Sequence, residues 1–550
     1  MSLKQKCVEL TKKMVSIPSV NKTPGERAIG EFMYDYISNI PYFKEHPNQV
    51  LKVELKDDPL HRYNVYGLLI GEKSDCQDTI LLHGHIDTVP TEDYGKLQPF
   101  AYDCDKLEQE LLKIKDTLEP GVREDLLSGD YMFGRGAGDM KGGSAVHTIV
   151  LEELSKHPEE LDGNILVSLN PVEETLHKGF IDGIDTLIEL KEEFNLNYLF
   201  AINNDFITSA FAGDETRYAY TGSVGKLLPC IYVRGKETHV GQAFEGFDAC
   251  RVAGELVKLV NLNCDMMDGY NGEYPAPPIA LKMMDLKPYY NVQTPLSSFV
   301  YFNYMAHSKG AGEILEDFKT VAKKAMVTVS NEINKNYKEY CNKINVPFSK
   351  IEHKLTVMDY RELYNIAKNE YDADIDKFID ELAEKEVAKD IDARLVSLHI
   401  VEKLTDIAGI KNPTAVVYFA TPHCPHNTLK DEIPEEKKLA DEIDEILQEF
   451  GDKYGEKMQL MHFFPSLTDS SYLKIDDSID DIKTLESNFP KQDILYPVPY
   501  EKIRKLNIPG INYGTFGRDA HKWTERVKIS YSFEKLPELI LMTINKYLIK

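Results

Sequence analysis

The sequence lacks the features of membrane proteins and of secreted proteins held together by disulfides. No apolar run approaches the length of a membrane span, and the N-terminal stretch MSLKQKCVELTKKMVSIPSV has no uninterrupted apolar core such as a secretory signal needs. The eight cysteines are scattered and form no CxxC pair, which favours reduced thiols over a disulfide framework. We therefore expect a cytoplasmic protein.

Basic residues are also in short supply. The chain has 64 lysines and arginines against 90 aspartates and glutamates, a formal net charge of -26, and the acidic residues are spread along its length. Because binding to a phosphate backbone needs a basic surface, we expect no nucleic-acid partner. A solvated acidic surface explains the charge and says little about the substrate.

The chain length and the order of helix and strand patterns predict an interrupted domain. At 550 residues the chain is too long for one core. Residues 1–214 alternate helices and strands, which indicates an α/β domain with a mainly parallel sheet. An α+β unit is expected at 215–405, with its end uncertain between 360 and 405. A buried-strand pattern resumes in TAVVYFA (414–420), so residues 406–550 are expected to return to the first domain.

Three segments each lead from an apolar, strand-like stretch into residues that bind metals. They are TILLHGHID (79–87), NILVSLNPVEE (164–174) and YLFAINND (198–205). In open α/β sheets ligands bind outside the carboxyl ends of the strands, so these three endings can converge on one crevice.

The HID tripeptide at the first of these endings predicts an oriented imidazole. In an extended segment, side chains two residues apart point the same way, so Asp87 can accept a hydrogen bond from one ring nitrogen of His85. That bond would fix the tautomer of a metal-bound histidine. His83 lies on the same alternation nearer the sheet, and we interpret it as structural. An HxD tripeptide is a weak signal when taken alone.

The glycine-rich loop GRGAGDMKGG (134–143) brings Asp139 near the start of a helix. Its glycines permit positive φ and close backbone approach. A nucleotide-binding loop is the alternative, but the spacing is GxGxG rather than GxGxxG, and no GK[ST] follows. The loop therefore favours placement of an acidic ligand over phosphate binding.

The adjacent Glu173 and Glu174 follow the second strand, where Pro171 indicates that the strand is ending. Both carboxylates can line a turn there, one as a metal ligand and the other as a general base toward water. The alternative is an ordinary surface pair. The position of the pair at the end of the ILVSL strand favours a site.

The remaining candidate ligands are Asp205 and His521. Asp205 ends the third strand, although Asn203, Asn204 and Asp214 are nearby alternatives. His521, in GTFGRDAHKWTERV, can be a ligand only if the C-terminal segment folds back onto the first domain.

Taken together, these motifs resemble the M20 family of metallopeptidases and amidohydrolases. The shared features are HxD, an Asp before an MKGG-like stretch, an EE pair, a later acidic residue and a late His. The stretches PYFKEHPNQV, NPVEE, FFPSLTDSSYL and HKWTERV are similar to the RocB group of arginine-utilisation proteins within that family. The resemblance implies a zinc-exopeptidase-like α/β catalytic domain with a mainly parallel sheet, interrupted by an inserted α+β lid domain.

The resemblance also implies which residues bind two Zn²⁺ ions, with Co²⁺ or Mn²⁺ as alternative metals. Asp139 would bridge the two ions. His85 and Asp205 would bind one of them, and Glu174 and His521 would bind the other.

Further roles implied by the resemblance concern catalysis. Glu173 would be the general base, Asp87 would orient His85, and the Asp139–Met140 peptide bond would be cis. His239, in GKETHVGQAFEGFDA, would contact the substrate carbonyl or the oxyanion. An exposed loop histidine is an almost equally good interpretation of His239.

Two functions follow from these assignments. The first is a zinc-dependent hydrolase that cleaves an amide bond in a small peptide or N-acyl amino acid, with metal-activated water and a Glu base. It would work as a monomer or homodimer, without membrane or nucleic-acid partners. The second is a non-catalytic metal-binding or regulatory protein on the same fold. The intact Glu173 favours the first, because a protein that has lost catalysis has no need for a base there.

Overall fold

The computed structural model describes residues 1–466 and 468–549 and divides into two compact units. The first unit comprises Met1–Ser223, Asn427–Ile475 and Pro499–Lys550, and the second comprises Val224–His426 and Asp476–Val498. These boundaries differ from the predicted ones at 214/215 and 405/406. The second unit begins later than predicted, extends beyond 405, and takes in a further segment near the C-terminus.

The strands, in chain order, are β1 (Val50–Glu54), β2 (Tyr63–Leu69), β3 (Asp78–His85), β4 (Tyr131–Phe133), β5 (Asn164–Asn170), β6 (Asn197–Asn203), β7 (Arg217–Tyr220), β8 (Gly222–Ser223), β9 (Gly225–Arg234), β10 (Ile279–Asp285), β11 (Ser297–Ala306), β12 (Thr356–Asp359), β13 (Thr414–Cys424), β14 (Asn427–Thr428), β15 (Met458–Met461), β16 (Gly510–Asn512), β17 (Gly517–Arg518) and β18 (Arg526–Lys528).

The α-helices, in chain order, are α1 (Leu3–Val15), α2 (Gly25–Ser38), α3 (Pro41–Glu45), α4 (Cys104–Lys113), α5 (Pro120–Ser128), α6 (Lys141–Leu154), α7 (Glu173–Leu176), α8 (Lys178–Glu193), α9 (Ala249–Val260), α10 (Ala311–Lys343), α11 (Tyr360–Glu370), α12 (Ile375–Val387), α13 (Ala393–Ile407), α14 (Pro434–Tyr454), α15 (Ile479–Ser487), α16 (Gln492–Leu495), α17 (Tyr500–Leu506) and α18 (Leu536–Leu548).

The first unit is built on an eight-stranded sheet with the order β1-β2-β5-β3-β6-β16-β7-β15. Its centre is parallel, since β3 pairs in parallel with both β5 and β6, and β16 pairs in parallel with β6. The β1–β2 and β2–β5 pairs are antiparallel. Every residue of β5 is buried, as expected of a strand covered on both faces of an α/β sheet. Helix α6 packs against β3 and β5. This is the predicted α/β catalytic fold.

The second unit has its own five-stranded sheet, with the order β10-β11-β9-β13-β12. Helices α9 and α10 contact β9, and α11 and α13 pack on β13, so the unit is α+β as predicted. The prediction that TAVVYFA returns to the first domain is wrong. That segment is β13, which pairs antiparallel with β9 and parallel with β12. An apolar run predicts a buried strand, but it does not specify the neighbouring strand.

Two further features of the structure concern the cysteines and the apolar character of the helices. None of the eight cysteines forms a disulfide. No helix formed by the described residues combines the length and the apolar character that crossing a bilayer requires.

Candidate metal centre

The carboxyl ends of three neighbouring strands define the site. In the sheet, His85 at the end of β3 lies beside Asn170 at the end of β5, and His83 lies beside Asn203 at the end of β6. Because the three strands are parallel, the segments that follow them leave the sheet at the same edge. The glutamate pair and Asp205 lie in those segments.

The structure brings all five predicted metal ligands together in overlapping groups. In each group the candidate ligand atoms lie within 4.8 Å of one another, and the groups are His85–Asp139–Asp205, Asp139–Glu174–His521 and His85–Glu173–Glu174. Asp139 belongs to the first two groups. The C-terminal segment therefore does fold back, as the prediction for His521 requires.

Asp139 faces a different histidine with each of its carboxylate oxygens. Its Oδ1 lies 3.1 Å from His85 Nε2, and its Oδ2 lies 3.1 Å from His521 Nε2. The same His521 nitrogen lies 3.0 Å from Glu174 Oε1. A carboxylate between two such groups has the geometry to bridge two cations.

Asp87 is fully buried and serves two segments of the site at once. Its Oδ1 lies 3.5 Å from His85 Nδ1, which leaves Nε2 directed at Asp139. Asp87 also accepts hydrogen bonds from the backbone N–H groups of Glu173 (3.0 Å) and Glu174 (3.1 Å). One carboxylate therefore lies against the imidazole and holds the turn that carries the glutamate pair.

The glycine-rich loop brings Asp139 into the cluster through close backbone contacts. Gly136 has a φ of 78°, and a Cβ atom there would lie 2.5 Å from Thr88 Cγ2. A Cβ atom on Gly143, in the first turn of α6, would lie 2.4 Å from the backbone oxygen of Asn204. The Asp139–Met140 peptide bond is cis, as the resemblance implies.

A buried ion pair that the sequence motifs do not predict connects this loop to the His521 segment. Glu525 Oε1 accepts hydrogen bonds from the N–H groups of Gly138 (3.2 Å) and Asp139 (3.4 Å), and its Oε2 accepts one from Arg135 Nη1 at 2.8 Å. Arg135 Nη2 donates to the carbonyl of His521 at 3.4 Å and to Asp93 at 2.9 Å. The available signal is that both partners belong to the quoted motifs, as the Arg of GRGAGD and the Glu of HKWTER.

Several buried carboxyl groups lie close together in the cluster, and this raises the pKa of some of them. Burial raises the pKa of Glu174 to about 8, and the charge of Asp139 adds to that effect. Burial and the charge of Asp139 also hold the pKa of Asp205 well above its usual range. Burial alone would lower the pKa of His521, but hydrogen bonds to Asp139 and Glu174 raise it to about 11. The carboxylates around His521 therefore strongly favour a positive charge at the position of its proton.

This donor set fits divalent cations. Imidazole nitrogens and carboxylate oxygens are the ligands that Zn²⁺ takes in catalytic sites, and Co²⁺ and Mn²⁺ accept the same types. Since ligating imidazole must be deprotonated, cations bound here would replace the proton of His521 and offset the carboxylate charge.

Two further side chains lie next to the predicted residues. His177 Nε2 is 3.5 Å from Glu173 Oε1, and the His177 side chain is only 6% exposed. Asp469 is fully buried and accepts a hydrogen bond from Asn203 at 2.7 Å. Burial raises the pKa of Asp469 to about 8. Its stretch FFPSLTDSSYL contributes to the family resemblance, but the resemblance implies no role for Asp469.

Two residues that lie close in sequence to the predicted ligands, Asp214 and His83, make contacts of their own. Asp214, a competitor of Asp205, accepts hydrogen bonds from the N–H groups of Ala210 and Thr216 and so closes its own turn. His83 is buried, with its ring 4.7 Å from that of Phe180, in keeping with a structural role.

His239 belongs to the second unit and is exposed. Its Nδ1 accepts a hydrogen bond from the Gly241 N–H at 3.1 Å. Its predicted contact with substrate and the predicted lid role of its unit both stay predictions.

Comparisons with known proteins agree on the family. The profile of peptidase family M20/M25/M40 matches residues 81–475. Protein RocB of Bacillus subtilis (strain 168) is 35% identical over 534 residues, covering 97% of this chain and 93% of that protein. The succinyl-diaminopimelate desuccinylase of Wolbachia pipientis wMel is 27% identical over 233 residues, covering 42% of this chain and 48% of that protein.

A solved structure supports the fold across almost the whole chain. The crystal structure of a tripeptidase from Staphylococcus aureus subsp. aureus Mu50 matches with a TM-score of 0.51 at 15% identity, covering 99% of this chain and 98% of that chain. The match over residues 81–475 and the identity with RocB identify the family that the motifs predict. The chain belongs to peptidase family M20/M25/M40.

Proposed function

We propose that this protein is a di-zinc hydrolase that cleaves an amide bond in a small peptide or an N-acyl amino acid. The observation that carries the proposal is the position of Asp139 between two histidines, with His85 Nε2 and His521 Nε2 each 3.1 Å from a different oxygen of its carboxylate. Membership of a peptidase family supports a hydrolase with metal-binding residues at its site.

The ligands divide into two sets around the shared carboxylate. His85 and Asp205 would hold one cation, Glu174 and His521 would hold the other, and Asp139 would serve both. Two divalent cations in such a site polarise a substrate carbonyl and lower the pKa of water.

Glu173 has the surroundings of a general base. Burial would raise its pKa, but the contact with His177 and the charge of His85 outweigh burial and lower the pKa below its ordinary value. The carboxylate is therefore ionised at neutral pH. It can accept a proton from the attacking water and pass it to the leaving amine. Asp87 would keep His85 and the backbone of Glu173 in position for this proton transfer.

The substrate class is supported by the relatives. The desuccinylase is named for the removal of a succinyl group from an amino acid, and the tripeptidase for a short peptide. The resemblance to the RocB group of arginine-utilisation proteins supports a link to arginine breakdown. Cysteines that form no disulfide support a reducing, cytoplasmic setting.

The test is a hydrolysis screen on protein stripped of metal with a chelator and then loaded with Zn²⁺, Co²⁺ or Mn²⁺. The substrates are dipeptides, tripeptides and N-acetyl, N-succinyl and N-benzoyl amino acids, with unfolded casein alongside, and products are identified by mass spectrometry. We expect metal-dependent release of a free amine from at least one small substrate.

Cleavage inside casein chains, with every small substrate left intact, would contradict the substrate class. Stoichiometric metal binding without turnover of any substrate would favour the non-catalytic alternative.

A further inference from the structure

Asn203 is a buried hydrogen-bonding centre at the end of β6. It is 0% exposed. Its Nδ2 donates to the carbonyl of His83 at 3.1 Å and to Asp469 Oδ2 at 2.7 Å. Its Oδ1 accepts from the N–H group of Asp205 at 3.0 Å. One amide side chain therefore connects β3, the turn that carries Asp205, and a distant segment of the same unit.

These three bonds lie where the pairing between β3 and β6 ends. His83 and Asn203 are the last paired residues between β3 and β6, and the predicted ligands His85 and Asp205 each follow by two residues. Beyond that pair, the β3–β6 ladder no longer fixes the spacing between the two segments. The Asn203 side chain connects the two segments there, because it forms hydrogen bonds with the backbone of both segments.

The orientation of the amide decides whether this connection forms. Turned by 180°, an asparagine would direct its NH₂ group at the N–H of Asp205 and its oxygen at the carbonyl of His83, and both contacts would be repulsive. An acceptor opposite Nδ2 selects the favourable orientation. Asp469 supplies that acceptor, and it is itself 0% exposed.

The selection works in either protonation state of Asp469. Its Oδ2 faces Asn203, while its Oδ1 has no hydrogen-bond partner among the described residues. A proton on Oδ1 would leave Oδ2 free to accept. An asparagine at position 469 would not select the orientation of Asn203 in this way, because it could present either its oxygen or its NH₂ group to Asn203.

We propose that Asp469 is a positioning residue of the metal centre. It holds the Asn203 amide in the orientation that spaces His85 from Asp205, and so sets the cation position that these two ligands share. The inference rests on the proposed function, since it assumes that these ligands bind a cation. Asp469 acts through Asn203 and not by ligation.

The test compares Asp469→Asn with Asp214→Asn. Asp214 is a matched control, because it is a buried aspartate of the same unit whose hydrogen bonds close a separate turn. Metal-free proteins are titrated with Co²⁺, which reports each binding event by its visible absorption. Their thermal unfolding is measured without metal.

In wild type we expect two Co²⁺ equivalents. In Asp469→Asn we expect one equivalent to bind as in wild type and the other to bind on the order of 10- to 100-fold more weakly, as is typical when a supporting contact of a ligand is lost. Asp214→Asn should keep both affinities. The metal-free melting temperatures of the two variants should be similar.

Two results would overturn the positioning role. One is wild-type affinity at both equivalents in Asp469→Asn. The other is equal weakening of both equivalents together with a fall in melting temperature, which is the signature of general structural damage. A wild-type protein that binds fewer than two Co²⁺ ions would overturn the proposed centre itself, and the positioning role with it.

Discussion

Replacement of Glu173 by glutamine is expected to lower turnover on the order of a hundredfold or more while the bound metal stays nearly unchanged. Glutamine has almost the same shape as glutamate, but it cannot accept the proton of water. The backbone N–H of Glu173 would still donate to Asp87, so the turn and the neighbouring ligand should keep their positions. Steady-state kinetics and metal analysis of the purified variant measure the two effects separately.

The adjacent glutamate offers a matched control for this substitution. Glu174→Gln makes the same chemical change one residue along, but Glu174 Oε1 lies 3.0 Å from His521 Nε2 within the second ligand group. We expect this variant to lose metal as well as turnover. Turnover at the wild-type level in Glu173→Gln would show that Glu173 is not the base.

Replacement of Arg135 by methionine is expected to lower the free energy of unfolding by about 3 to 5 kcal/mol. The side chains of Arg135 and Glu525 are 1% and 0% exposed, so the change leaves a buried carboxylate without its cation. It also removes the bond from Arg135 to the carbonyl of His521. Urea unfolding of metal-free protein measures the loss without a contribution from bound metal.

An exposed arginine pair of the same unit provides the comparison. Arg123 lies 3.0 Å from Asp116, with side chains 47% and 74% exposed, and Arg123→Met should cost about 1 kcal/mol or less. Adding Glu525→Gln to Arg135→Met should restore part of the stability, because glutamine removes the unpaired charge and keeps an oxygen for the N–H groups of Gly138 and Asp139. A cost for Arg135→Met no larger than that for Arg123→Met would contradict the account of this ion pair.

Much of the fold around the site could be predicted from the sequence. The apolar runs that end at His85, before the glutamate pair and before Asp205 correspond to β3, β5 and β6, and these strands are neighbours in the sheet. The prediction works because a parallel sheet buried on both faces demands long apolar runs, and because its ligands lie at the strand ends. Both signals are local in the sequence.

The features that the sequence does not predict depend on contacts between segments that are far apart in the chain. TAVVYFA is a strand as predicted, but its pairing with β9 places it in the other unit. The bond between Asn203 and Asp469 joins residues 266 positions apart, and that between Arg135 and Glu525 joins residues 390 positions apart. No spacing rule in one sequence predicts such pairs. The sequence leaves Asp214 as an alternative to Asp205, and the fold separates them, because Asp205 joins the ligand cluster and Asp214 closes its own turn.

The central claim is that Asp139 joins two cation sites, and anomalous diffraction from zinc-loaded crystals tests it most directly. Above the zinc absorption edge we expect two peaks on the order of 3.5 to 4 Å apart, as in two-metal hydrolytic sites. One should touch His85 and Asp205, the other Glu174 and His521, and both should touch Asp139. Zinc peaks that lie away from His85 and Asp139 in a fully loaded crystal would contradict the account.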